Sequence, residues 1–241
     1  MLYNRYIPET SQNTFINFIS NSLVLSGIHT SHIQIRRELN KDADKIDPWI
    51  GGHLSACNKA WTWVLDKKMI QCQNLLQLFM GINERIIEPV CRSDASDTRY
   101  KKSELNKLRD SDPGGGESSH VPHEDVPEYL NSILVELEKC DSENDQHIMP
   151  KRVRFSAATK LAKIAWKTQF QIGYICPFYQ GNWVSSRLIM NSLRCHWSLP
   201  WLILSVEDDD KQDKGRAYFD EQNLWFRLFN QEGVLTDKFI N

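Results

Sequence analysis

Apolar side chains recur at every third or fourth position along most of this 241-residue chain, and no long stretch alternates apolar with polar. That spacing places each apolar set on one face of a helix and predicts an all-α fold. Leu54, Cys57, Trp61, Val64 and Leu65 form one stripe, and Leu75, Leu78, Phe79 and Ile82 a second. Val126, Leu130, Ile133 and Leu137 make a third. Ala158, Leu161, Ala162, Ala165 and Gln169 lie along a fourth, with Trp166 and Phe170 beside them. Leu188, Ile189, Ser192 and Leu193 mark a fifth helix, and Tyr218, Trp225, Leu228 and Phe229 a last one. With 41% hydrophobic residues the chain can bury a sizeable core.

Two polar segments interrupt the pattern. Arg92 to His120 contains Asp112-Pro113-Gly114-Gly115-Gly116, which cannot hold a helix and predicts a long loop or loose hairpin. Cys140 to Pro150 reads as a shorter connector. The stripes on both sides of the first break need each other's apolar faces, so the loop is expected to lie within one helical domain. The glycine run lacks the Gly-Lys-Ser/Thr of a phosphate-cradling P-loop.

Formal net charge is -2, so no global field attracts nucleic acid or anionic lipid. No apolar run reaches the roughly 20 residues of a membrane span. Met1 to Gln12 lacks a basic segment followed by an apolar core, so no secretory leader is expected and the cytoplasm is the expected compartment. Cys57, Cys72, Cys91, Cys140, Cys176 and Cys195 include no CxxC spacing and are expected to be reduced thiols.

Gln171 to Leu204 reads as a helix, a short loop and a second helix. Gly181 and Asn182 stand where the second helix should begin. Such a terminus offers unpaired backbone N–H groups and a positive dipole end, and glycine lets a backbone come close to an anion. Arg187, a little over one turn further on, is placed to reach an anion held there. Pro177 and Phe178 should fix the loop's entry and anchor it in the core. Taken singly, each residue has a bland reading as a capping turn or a surface arginine; the joint spacing is what points to a site.

The stretch Cys176 to Arg187, CPFYQGNWVSSR, resembles the Fic/Doc signature HxFx(D/E)GNGRxxR in Pro177, Phe178, Gly181, Asn182 and Arg187. Phe15 to Asn40 is similar to the segment carrying the inhibitory (S/T)xxxE(G/N) helix of that family, with Ser22, Ser26 and Gly27 in the frame and serine where glutamate is expected. His120 to Pro127 resembles the run after the family's target-docking flap, and Arg216 to Phe219 a C-terminal family helix. The resemblance implies an N-terminal inhibitory-type helical segment, 1–45, and a Fic-like core, 46–241, with the flap in 92–122.

Fic proteins typically transfer AMP from ATP to a protein hydroxyl, and the resemblance assigns four altered positions to that work. Cys176 stands for the general-base histidine; a thiolate can accept a proton or attack phosphorus, and the favoured reading is a small apolar substitute. Gln180 stands for the acidic Mg²⁺ ligand, so no metal site is expected. Trp183 replaces a glycine and reads as a plug or, second, a stacking platform. Val184 replaces a phosphate-binding arginine, which leaves Gly181, Asn182, Trp183, Val184 and Arg187 as an anion cradle short of charge. The expectation is a catalytically degenerate Fic-domain protein that binds a partner protein, with no cofactor and no nucleic acid or membrane partner. The alternative is a transferase of AMP or another phosphate-containing group that uses Cys176, ATP and Mg²⁺. Delivery into a host cell is compatible with the family.

Other constellations are poorer. Cys176, Cys195 and His196 lie near one another in sequence without chelating spacing; His29-x-x-His32 is spaced by one helical turn, which permits a metal on geometry alone, but without acidic or thiol neighbours it reads as two surface histidines. Lys151 to Arg154 reads as a solvated helix start.

Overall fold

Local capping decides where several helices begin. Ser31 Oγ accepts from Gln34 N at 3.2 Å, and Asp47 Oδ1 accepts from Trp49 N and Ile50 N at 3.0 and 3.1 Å ahead of a first-turn proline, Pro48. The structure is a computed structural model that describes residues 9–42, 45–66, 70–93, 101–112, 121–143, 151–204 and 216–238. Its helices are α1 (Glu9–Leu25), α2 (His32–Leu39), α3 (Pro48–Leu65), α4 (Cys72–Ser93), α5 (Val126–Glu143), α6 (Lys151–Ile175), α7 (Asn182–His196) and α8 (Arg216–Glu232). Among the described residues there is no strand, as the spacing predicts.

α3 and α4 pack antiparallel over the longest shared face. Gly52 makes the close approach possible, because a Cβ there would stand 2.4 Å from the Ile86 carbonyl oxygen. α6 and α7 form the second tight pair, and α7 also packs on α3, α4 and α1. Every residue of α7 from Val184 to Leu193 is buried. The sequence pattern suggests one apolar face for this helix; the surrounding helices instead cover it on all sides, so its polar side chains must bond internally. α8 closes α6 through Phe170, Tyr218 and Trp225, and α5 bridges α4 and α6.

The expected stripes lie in the core or against it, with Val64, Ala158 and Ala162 only half-buried and one residue exposed. Leu65 is 54% exposed, because it ends α3 where the chain turns away. Cys140 to Glu143 is the last turn of α5 rather than connector, and Cys140 is buried. In the polar break, α4 runs on to Ser93 with Pro89 inside it; residues 101–112 form a short 3₁₀ turn at Lys102–Glu104 and irregular chain. Gly114 to Gly116 and the rest of 113–120 lie outside the described residues, as do 94–100. No helix among the described residues is long and apolar enough to cross a membrane.

Candidate functional site

The chain leaves α6 at Cys176, which adopts φ +44°, a left-handed conformation unfavourable to a residue with a Cβ. Arg109 holds this turn. Its side chain is 1% exposed, and its Nε donates to Cys176 O at 2.8 Å. Nη2 donates to Val121 O and, at 3.3 Å, to Ile175 O; Nη1 donates to Asp112 Oδ1 at 2.9 Å. The Arg109 backbone N–H donates to Pro177 O at 3.0 Å. One guanidinium therefore covers the last carbonyls of α6 and ties 109–112 and Val121 to the loop. Tyr179 adds a second tie: its hydroxyl bonds Asp110 Oδ1 and accepts from Asp110 N at 3.1 Å, and that carboxylate raises the phenol's pKa.

Phe178 is buried in the core, as its type suggests. Asn182, also fully buried, accepts from Phe178 N and donates to Phe178 O, both at 2.9 Å. Its side chain thus closes the loop on itself instead of facing outward. Gly181 caps α7 at φ +74°, and a Cβ there would meet Ile87 Cδ1 at 2.8 Å, so conformation and space both require glycine. Asn83 on α4 secures the same turn, donating to Gln180 O at 2.7 Å and Ser185 Oγ at 3.1 Å.

The four altered positions fall into this frame as follows. Cys176 is 2% exposed, and its Sγ–H donates to Gly173 O at 3.0 Å. Trp183 packs against that same glycine: a Cβ on Gly173 would stand 2.2 Å from Cζ3 and 2.3 Å from Cη2 of the indole. Phe226 of α8 flanks the ring at 5.6 Å between centroids. Val184 is 4% exposed and belongs to the apolar core. Gln180 offers a neutral amide, and among the described residues no group of three or more His, Cys, Asp or Glu side chains is arranged for a metal ion. That donor set does not fit a hard dication such as Mg²⁺.

Arg187 turns to α1. It is 1% exposed; Nε donates to Ser22 Oγ at 3.0 Å, Nη2 to Ser22 O at 2.8 Å and to Ser26 Oγ, and the Tyr218 ring lies 5.9 Å from Cζ. Ser26 Oγ donates in turn to Ser22 O at 3.0 Å. No carboxylate of a described residue pairs with this buried cation. His53 on α3 is neutral beside it: burial first and the Arg187 charge last lower its pKa to about 4, against the upward pull of the 2.7 Å bond from Nδ1 to Trp49 O. Gly27 follows at φ +77°.

The other constellations come apart. Cys176 and the Cys195–His196 pair stand at opposite ends of the fifteen-residue α7, about 20 Å apart by helical rise. His196 Nε2 instead bonds Asp141 Oδ1 at 3.1 Å, and burial pushes the Cys195 thiol up to about 11. His29 precedes α2, which begins at His32, so the two imidazoles do not share a helical turn; both are exposed. Arg109, Asn83 and His53 escape sequence reasoning. Asn83 and His53 carry a signal, being polar residues set into apolar stripes. Arg109 carries none, since an arginine in a polar loop reads as solvated.

No protein-family model and no curated protein matches the sequence. Solved structures do. A Fic-domain-containing signalling protein from Bacteroides thetaiotaomicron superposes with a TM-score of 0.62 at 15% identity, over 95% of this chain and 79% of that one. The chain has the Fic fold. Residues 134–508 of Fic-1 from C. elegans superpose with a TM-score of 0.57 at 14% identity, over 92% of this chain and 60% of that fragment. At these identities the likeness establishes the Fic fold alone, and the chemistry has to be argued from this chain's own side chains.

Proposed function

We propose that this Fic-fold protein is catalytically degenerate and works by holding a partner protein. The observation that carries the reading is the seat of Trp183: the indole, borne on the first turn of α7, packs back onto Gly173 of α6 and takes up space beside the helix N-terminus that an anion would approach. The surrounding groups support it. Cys176 is buried with its thiol hydrogen on a carbonyl, so a hydroxyl substrate finds no accessible proton acceptor there. Arg187 is engaged by Ser22 and Ser26, Val184 is apolar, and Gln180 carries no charge for a metal. Proton acceptor, metal ligand and phosphate arginine all act on one transition state, and loss of each alone costs orders of magnitude in rate. Asp110, Ser111 and Asp112, exposed and tied to the loop by Arg109 and Tyr179, offer a partner a surface beside the site.

Reversion tests the reading. The combined variant Cys176→His, Gln180→Asp, Trp183→Gly and Val184→Arg should bind ATP with Mg²⁺ and label protein with AMP, while the unaltered chain does neither. Robust, Arg187-dependent labelling by the unaltered chain would refute it and favour the transferase that uses Cys176.

A further inference from the structure

The outer faces of α3 and α4 leave a groove of about 440 Å³ that shares no residue with the loop 176–187. Asn58, Lys59 and Trp63 line it from α3, and Asn74, Gln77 and Arg85 from α4. Lys59 is laid across Gly81: a Cβ there would stand 2.1 Å from Cε and 2.9 Å from Nζ. The ammonium is therefore held down in the groove instead of reaching into solvent. Because the helices are antiparallel, Arg85 falls one turn beyond Gly81 at the same end, and Asp66 marks the opposite mouth. No carboxylate of a described residue pairs with Lys59 or Arg85, in a chain whose 31 acidic residues outnumber its 29 lysines and arginines. Trp63 forms a fixed wall, its ring 5.1 Å from that of His196, which Asp141 holds at 3.1 Å.

This lining has a definite complement. The amides of Asn58, Asn74 and Gln77 carry both donors and acceptors, as an extended main chain requires; Asn74 makes only a 3.4 Å bond to Gln71. An apolar helix finds too little apolar wall here. We infer that the groove takes a short extended segment of a partner protein, with two neighbouring carboxylates on Lys59 and Arg85 and its uncharged end toward Asp66. This rests on the partner-binding reading above and adds to it a second contact surface, separate from 110–112, with the chemistry of the partner segment it takes.

The test uses the full chain and an array of capped octapeptides in a Gly/Ser background, with two Asp or Glu at every spacing, followed by fluorescence anisotropy of the best binder. Peptides with paired acids should bind, and neutral and Lys-containing counterparts should not. Lys59→Gln and Arg85→Gln should each weaken binding about fivefold, the upper range for a solvent-exposed ion pair. Gly81→Ala, which displaces the ammonium without removing it, should weaken binding less than Lys59→Gln. The inference is overturned if no acidic octapeptide binds above its neutral parent, or if binding survives the double substitution. It is equally overturned if inorganic phosphate alone fills the site at the same concentration. None of these variants alters 176–187, and the reversion variant leaves the groove intact, so the two readings fail separately.

Discussion

Replacing Arg109 by alanine should unfasten the turn on which the candidate site stands. The loss can be worked from its partners. Nε–Cys176 O and Nη2–Val121 O are charge-assisted bonds to carbonyls of residues that are 2% and 5% exposed. Such bonds contribute about 1.5–3 kcal/mol each, and an orphaned buried carbonyl keeps its desolvation cost. The longer bond to Ile175 O adds little, and the one to Asp112 reaches an exposed carboxylate. Water entering the vacated space recovers part of the loss, which leaves about 3–5 kcal/mol. For a chain of this size that is a fall in Tm of about 6–20 °C, or about 1–2 M in the urea midpoint. Arg109→Lys keeps the charge but cannot bond Cys176 O and Val121 O in one plane, so it should recover less than half. Urea titration gives the total, and amide hydrogen exchange locates it: 109–112 and 177–179 should lose protection before α3 and α4 do. A loss under about 1 kcal/mol, or unchanged exchange in those segments, would refute the account of Arg109 as the clamp.

His53 makes stability depend on pH in a defined window. Its folded pKa of about 4 lies below the unfolded value of about 6.5, so the unfolded chain binds the proton first. Its stabilising effect is full above pH 6.5 and is lost as pH falls toward 4, about 3 kcal/mol in all. His53→Asn, which keeps a donor for Trp49 O, should flatten that part of the stability curve. An imidazole titrating near 6.5 by NMR would contradict this. Gly173→Ala should evict the indole of Trp183, costing about 1–3 kcal/mol and shifting tryptophan emission to the red. In a Trp183→Ala background the same substitution should be nearly neutral; equal cost in both backgrounds would show that the two residues do not touch.

Six of the eight described helices and the junction at Gly181 are legible because 3.6-residue periodicity and the need for a left-handed cap leave marks on local sequence, while α1 and α2 enter only through the family resemblance. Leu65 was misread because periodicity does not say where a face stops being covered. The all-round burial of α7 is hidden for a related reason: Ser185, Ser186 and Asn191 look solvated in sequence, but Asn83 and Leu202 satisfy Ser185 and Asn191 from other elements, and Ser186, like Ser192, donates to a carbonyl of its own helix. His29 and His32 are the surface histidines that the lack of acidic or thiol neighbours suggests, and the helical turn their spacing allows is missing because α2 begins only at His32. The direction of Arg187 is out of reach of local pattern, since its partners lie 161 and 165 residues away; only the family resemblance, which pairs this arginine with the inhibitory segment, points to Ser26.

That last contact explains how a site can keep its arginine after losing its chemistry. A buried guanidinium is costly unless its N–H groups are satisfied, and here α1 and the turn after it bond it with two hydroxyls and a carbonyl rather than a carboxylate. Hydroxyls bond the cation without neutralising it. The positive charge therefore remains, lowering the pKa of His53, while the side chain pins the N-terminal helix to the central one. Removing Arg187 would take the donor from buried Ser22 Oγ and leave Ser22 O to Ser26 Oγ alone, so the residue is held by packing whether or not a phosphate ever binds. Cys176, Trp183 and Val184 bear the opposite relation to the core: each fills space as a small or apolar group and leaves no charge to be satisfied. The frame of the site and its reactivity thus rest on different residues, and the first can persist without the second.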